Sequence, residues 1–192
     1  MTDCVLRMNM PEKSNWLLYA ASLGFLLSLI AHILSCFTID VSEYFPFVWL
    51  LHIGIFAVGI FVFIKYKQSE EFQDYQQSNE SNLMSSGIPL ELIFKGIPSW
   101  VKLVAVSGSL YVVFNLMTFV ASQNGNPEIK DDKYILQNHG KITEYLSKEK
   151  YTYYKSRETK AFSGLWLLFY GIFTIISYKV SVAEKSEQDL SI

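Results

Sequence analysis

His32, Cys36 and His52 are the residues of this chain whose types suit chemistry in an apolar setting. All three lie in long apolar runs, and the short acidic connection from Asp40 to Tyr44 makes the runs that carry them an antiparallel pair. Counted inward from that connection, each histidine lies about eight residues along its run, about 12 Å at about 1.5 Å per residue. They therefore occupy similar depth on neighbouring helices. Two facing imidazoles among apolar helices can ligate haem b through its axial positions, and His32, Cys36 and His52 together suit a soft transition metal. The plainer reading is preferred: neutral histidines hydrogen-bond to Ser28, Ser35 or a carbonyl and specify helix packing, with no cofactor. Asn115, in a third run, can polarise a transport path but more simply joins helices, and no charged residue lies deep enough to couple transport. His139, between Asn138 and Gly140, reads as an exposed turn residue. No catalytic triad, paired-cysteine motif, phosphate loop or metalloprotease signature is present, so the sequence makes no case for an enzyme.

The elements that would position these residues follow from hydropathy. Of 192 residues 51% are hydrophobic and 18% charged, too apolar for an ordinary soluble domain. The apolar residues cluster at about 16–39, 45–64, 99–121 and 161–179, each close to the roughly 20 residues needed to cross about 30 Å of hydrocarbon. This predicts one all-α integral membrane domain, a four-helix bundle with four transmembrane helices and a small β-hairpin in the loop between the third and fourth. The net charge of −2, with lysines interspersed among acids, excludes nucleic acid and leaves the lipid bilayer, another membrane protein or a second copy as partners. Cys4 and Cys36 fall on opposite sides of the first run and cannot bridge. That run is longer than a signal-peptide core and no small-x-small site follows it, so it reads as an uncleaved anchor. Ile33-Leu34-Ser35-Cys36 is a poor lipoprotein box, with a bulky Leu where a small residue is usual.

Along the first span Ala20, Gly24, Ser28, His32 and Cys36 recur every fourth residue, predicting its packing face. Gly108, Asn115 and Ser122 mark a similar stripe on the third. Between the second and third spans, 65–97 reads as a polar linker with no apolar period, ending in amphipathic turns started by Pro89 and stopped by Gly96. Residues 123–160 should form a hairpin and a projecting helix, with 123–132 of turn composition. A three-residue Asn138-His139-Gly140 loop sets Leu136 opposite Ile142, with Tyr134 beside them; a two-residue loop, the less favoured register, sets Leu136 against Thr143. Ser147 is the expected N-cap of a proline-free helix running to Lys179, too long for the bilayer alone. Tyr151, Tyr154 and Glu158 on its projecting part can then pack on the hairpin. Tyr134, Leu136, His139, Ile142, Tyr151 and Tyr154 are thus the expected interaction surface, and 180–192 a polar tail.

Arg7 and Lys13 before the first span, against Asp40 and Glu43 after it, place both termini in the cytoplasm, although eight Lys and Arg then lie in the translocated loop. The run Tyr134-Ile-Leu-Gln-Asn-His-Gly-Lys141, the Glu149-Lys-Tyr151 that follows and Phe162-Ser-Gly-Leu-Trp-Leu-Leu-Phe-Tyr170 together resemble a pattern in small bacterial inner-membrane proteins of unknown function. The likeness covers the last third of the chain. It implies a bacterial inner-membrane protein and brings no catalytic residue. The expected function is that of a non-enzymatic structural or interaction protein of the membrane, with a haem or metal protein and a small transporter or channel as alternatives.

Overall fold

The computed structural model describes residues 15–78 and 90–190; the leader with Cys4, Arg7 and Lys13, the linker segment 79–89 that contains Pro89, and 191–192 lie outside the described residues. Among those described, four helices are long and apolar enough to cross a membrane: Trp16–Cys36, Pro46–Lys67, Ser99–Ser122 and Lys148–Ser186. The first is α1. After it Asp40, whose carboxylate accepts from the Ser42 amide at 3.0 Å, caps a single turn, α2 (Val41–Tyr44), where the sequence suggested only a loop. A 3-10 turn opened by Pro46 then leads into α3 (Leu50–Lys67). The third long helix is α6 (Ser99–Ser122), and the last, α7, runs unbroken over Lys148–Leu190.

α1, α3 and α6 each pack on α7, and α1 packs less extensively on α3, so α7 is the helix common to the other three. The tightest pair is α1 with α7, and both present a heptad seam. On α1 it is Leu17, Ala21, Gly24, Ser28, Ala31 and Ser35; on α7 it is Ser156, Thr159, Ser163, Trp166, Tyr170 and Phe173, all buried. A repeat of 3.5 residues keeps a seam aligned between helices that wrap around each other, whereas strict four-residue spacing drifts by about 40° per step. Hence the predicted stripe holds at Gly24, Ser28 and His32 but winds out of the interface at Cys36, which is exposed. Gly24 is required at the crossing, because a Cβ there would run into the Tyr170 ring. From that position Tyr170 donates to the Leu51 carbonyl of α3 at 3.0 Å, so one side chain ties three helices. Outward faces carry Leu23, Ile53, Phe56, Leu103 and Phe114, all exposed, the pattern expected of a surface that meets lipid.

Three corrections concern the connections. The predicted linker 65–97 is partly built: α4 (Glu70–Ser78) buries Phe72 against Tyr66, and α5 (Leu90–Phe94) buries Leu92 and Ile93 before Gly96 turns the chain at φ 75°. Lys179 joins both to α7, pairing with Glu71 at 2.9 Å and donating to the Leu92 carbonyl at 2.7 Å. The predicted tail is helical to Leu190, with Val180 buried and Glu184 paired to Lys65 at 3.2 Å. The predicted hairpin is a three-stranded antiparallel sheet, β1 (Asn126–Lys130), β2 (Lys133–Asn138) and β3 (Lys141–Tyr145).

The sheet's turns explain its register. Asp131 and Asp132 both have positive φ, and so do His139 and Gly140, the requirement of tight two-residue hairpin turns. Asn138 pairs with Lys141 and Gln137 with Ile142; a bulge at Thr143 then shifts Leu136 to Glu144 and Ile135 to Tyr145. The preferred three-residue loop is therefore wrong, and the alternative holds only next to the turn. The Thr143 hydroxyl, donating to the Leu136 carbonyl at 2.9 Å, occupies the bulge. Because strand residues alternate in direction, burial of the adjacent Ile135 and Leu136 means that both faces of β2 are covered there. Ile142, expected inside, is 43% exposed. Ser147 caps α7 as expected, accepting from the Lys150 amide at 3.3 Å, and the Tyr134 and Tyr151 rings stack at 4.8 Å, which fastens sheet to helix. At about 1.5 Å per residue α7 is about 64 Å long, about twice the hydrocarbon thickness.

Candidate functional site

The histidines are engaged by α7 and not by each other. Buried His32 lies within 2.9 Å of the Ser163 hydroxyl at Nδ1 and within 2.8 Å of the Tyr111 hydroxyl of α6 at Nε2. Ser163 also donates to the Lys160 carbonyl at 3.2 Å, which leaves it accepting from His32. One order that satisfies these groups has Tyr111 O–H donating to Nε2, Nδ1–H donating to Ser163, and Ser163 O–H donating to the Lys160 carbonyl. Asn115 adds a second donor to that carbonyl at 3.0 Å. The polar centre is thus a chain of hydrogen bonds across α1, α6 and α7. The predicted partners Ser28 and Ser35 instead donate back to the Gly24 and Ala31 carbonyls of their own helix, each at 2.7 Å. His52 accepts at Nδ1 from the indole N–H of Trp166 at 3.2 Å and sits edge-on to Phe56 and Phe162.

These contacts bear on the haem and metal alternatives. An axial ligand offers a ring-nitrogen lone pair; both nitrogens of His32 are engaged, and the Trp166 bond fixes the His52 proton on Nε2. Neither ring ligates without giving up a hydrogen bond. His32, Cys36 and His52 are not gathered, and among the described residues no three His, Cys, Asp or Glu side chains converge as a metal set.

Beside the polar centre a cavity of about 310 Å³ opens between the C-terminal parts of α1 and α6 and the N-terminal third of α7. Ser35 and Cys36 of α1 and Asn115, Thr118 and Phe119 of α6 line it, and α7 contributes Tyr153, Ser156, Arg157 and Lys160. Spacings of three and four residues place these last four on one face of the helix. Arg157 donates to the Ser122 hydroxyl and, at 3.4 Å, to the Thr118 carbonyl, and its guanidinium lies 5.5 Å from the Tyr153 ring centroid. No carboxylate lines the cavity, and among the described residues neither Arg157 nor Lys160 has an acidic partner.

Thr38, on the rim, carries the strain of the site. After α1 the Thr38 amide donates to the Ser35 carbonyl at 3.2 Å and the Ile39 amide to the Leu34 carbonyl at 3.3 Å, the Schellman pattern, in which the residue at Thr38 must be left-handed. Glycine is usual there; a β-branched Thr at φ 62° costs about 1–3 kcal/mol. Sequence reasoning missed the cavity residues Arg157, Lys160 and Thr38. The available signal was two cations three residues apart on the face of α7 that continues the small-residue seam.

The expected interaction surface divides. His139 and Ile142 are exposed at the end of the sheet; Tyr134, Leu136 and Tyr151 are turned inward and hold sheet to helix, as their expected packing on each other implied, and half-buried Tyr154 lies beside Tyr153. Glu158, expected against the hairpin, instead pairs with Lys155 at 3.0 Å.

Fold and site together define a mostly helical protein with four helices of membrane-crossing length, arranged on a central helix that continues into a small sheet. No protein-family model, curated protein or solved structure matches the chain.

Proposed function

We propose that this is an integral protein of a bacterial inner membrane that works by structure and binding, not catalysis, with both termini cytoplasmic and the sheet on the outer side. The observation that supports this reading is the continuity of α7. One helix supplies the core of the helical layer through Trp166 and Tyr170 and the seat of the sheet through Tyr151, so the sheet is held in a fixed pose relative to the spans. The ionisable groups of the polar centre are joined to each other, an arrangement suited to holding helices and not to turning over a substrate.

Replacing Asp132–Leu146 by a Gly-Ser linker tests the proposal. Ile135, Leu136 and Leu146 are buried, so the apparent Tm in detergent is expected to fall by about 5 °C or more, with the protein still resistant to carbonate extraction and its co-purifying partners lost. An unchanged Tm together with an unchanged set of partners would overturn it.

A further inference from the structure

We propose that the cavity between α1, α6 and α7 binds a net-anionic phosphodiester through Arg157 and Lys160: the headgroup of an acidic lipid, or a soluble molecule with the same group. This goes beyond the structural role proposed above and does not depend on it. The inference starts from charge. Arg157 and Lys160 are half-buried like charges on one face of α7, a destabilising arrangement unless an anion lies between them. Their surroundings offset only part of it. The C-terminal ends of α1 and α6 open onto the cavity, and each helix end is equivalent to about −0.5 elementary charge, so about one positive charge stays unbalanced.

One unit of charge distinguishes between phosphate ligands. A phosphodiester carries a single negative charge, whereas a phosphomonoester carries about −1.5 to −2 at pH 7. The donors suit it as well. Arg157 directs a planar fork, partly used on Ser122 and Thr118, and Lys160 adds a mobile ammonium with no partner among the described residues. A volume of about 310 Å³ is at the lower end of ligand cavities, enough for a headgroup but not for acyl chains. Chains need no cavity here, because exposed Phe114, Met117 and Val120 on neighbouring α6 offer them an apolar outer surface. Thr38, held left-handed at the rim, points to a position kept at the cost of local strain.

Cys36 lines the cavity and is exposed, so it reports occupancy without any change to the cavity. In full-length Cys4→Ser protein in an uncharged detergent, the rate of Cys36 modification by a maleimide is measured with dihexanoylphosphatidylglycerol, dimethyl phosphate or dihexanoylphosphatidylcholine. Saturable protection by the phosphatidylglycerol, and little by the zwitterionic phosphatidylcholine, is expected. Equal protection by dimethyl phosphate would identify the bare phosphodiester as sufficient; protection by the lipid alone would identify the headgroup source as the membrane. The R157Q/K160Q variant is expected to weaken protection by about tenfold or more, and Lys141→Gln on the sheet to leave it unchanged. No saturable protection by either net-anionic phosphodiester, equal protection by phosphatidylcholine, or full protection in a folded R157Q/K160Q protein would overturn the proposal. Should that variant not fold, the three-ligand comparison on the Cys4→Ser protein decides it alone.

Discussion

α1 and α6 are apolar helices of 21 and 24 residues, each with a stripe of small and polar residues, yet one is packed along its length and the other along half of it. On α1, buried residues recur from Leu17 to Ser35; on α6 only Val112 and Asn115 are buried, and none precedes them. The difference lies in what α7 sends across. Tyr170 fills the space that Gly24 leaves, whereas nothing approaches within 4 Å of a Cβ at Gly108. On α1 the stripe becomes an interface because α7 meets it, with the Tyr170 ring at Gly24 and with small residues of its own, Ser156, Thr159 and Ser163, along the rest of the seam; at Gly108 no such side chain arrives. α6 is attached instead by its own reach, through Tyr111 to His32 and Asn115 to the Lys160 carbonyl.

Matched substitutions break this comparison most sharply. Gly24→Ala puts a methyl group into the Tyr170 ring and is expected to destabilise by about 1–3 kcal/mol, the usual cost of overpacking. Gly108→Ala meets no neighbour and removes a helix-interior glycine, so it should stabilise by up to about 1 kcal/mol. Thermal unfolding of the purified proteins in one detergent checks both. Equal effects at the two sites would mean that α1 is no more tightly packed than α6.

The end of α1 offers a smaller effect of opposite sign. Thr38→Gly relieves a left-handed β-branched residue but adds freedom to the unfolded chain, and a net gain of about 1 kcal/mol is expected in the same assay. A loss would show that the Thr38 side chain contributes more to the rim than its backbone costs. Binding of the phosphodiester, read by Cys36 protection, separates the two contributions.

The long helices were legible in the sequence because membrane-crossing length and sustained apolarity are themselves sequence properties, and α7 because Ser147 caps it and no proline interrupts it. The connections were not. β1 hides in Asn126-Pro127, residues with turn chemistry that pair here with β2, and buried Pro127 sits opposite Leu136. The bulge at Thr143 has no signature stronger than a threonine in a strand. The histidines' partners come from other helices, Ser163 of α7 and Tyr111 of α6 for His32 and Trp166 of α7 for His52, with Ser163 131 residues away from His32, which no local pattern encodes. Arg157 and Lys160 stand among Glu149, Lys155 and Glu158 and read as a solvated helix face; only the ends of α1 and α6 closing over them make a cavity.

The polar attachment of α6 can be tested at one atom. Tyr111→Phe removes the hydroxyl that donates to His32 Nε2 and leaves the ring beside the imidazole, where the two sit edge to face at 5.6 Å. Interhelical hydrogen bonds between membrane helices average about 0.6 kcal/mol and reach about 1.7, so a loss near the lower figure is expected. The location of the loss is more telling than its size. If α6 is held mainly by its polar tips, amide exchange should rise along Ser99–Ser122 and stay unchanged in α1, whose seam with α7 does not include Tyr111. A combined Tyr111→Phe and Ser163→Ala variant then completes a cycle through the two ring nitrogens of His32. Because the tautomer that accepts from Tyr111 is the one that donates to Ser163, the two losses are expected to be less than additive. Strict additivity would mean that the hydroxyls act on the ring independently and that the ordered chain across α1, α6 and α7 is not cooperative.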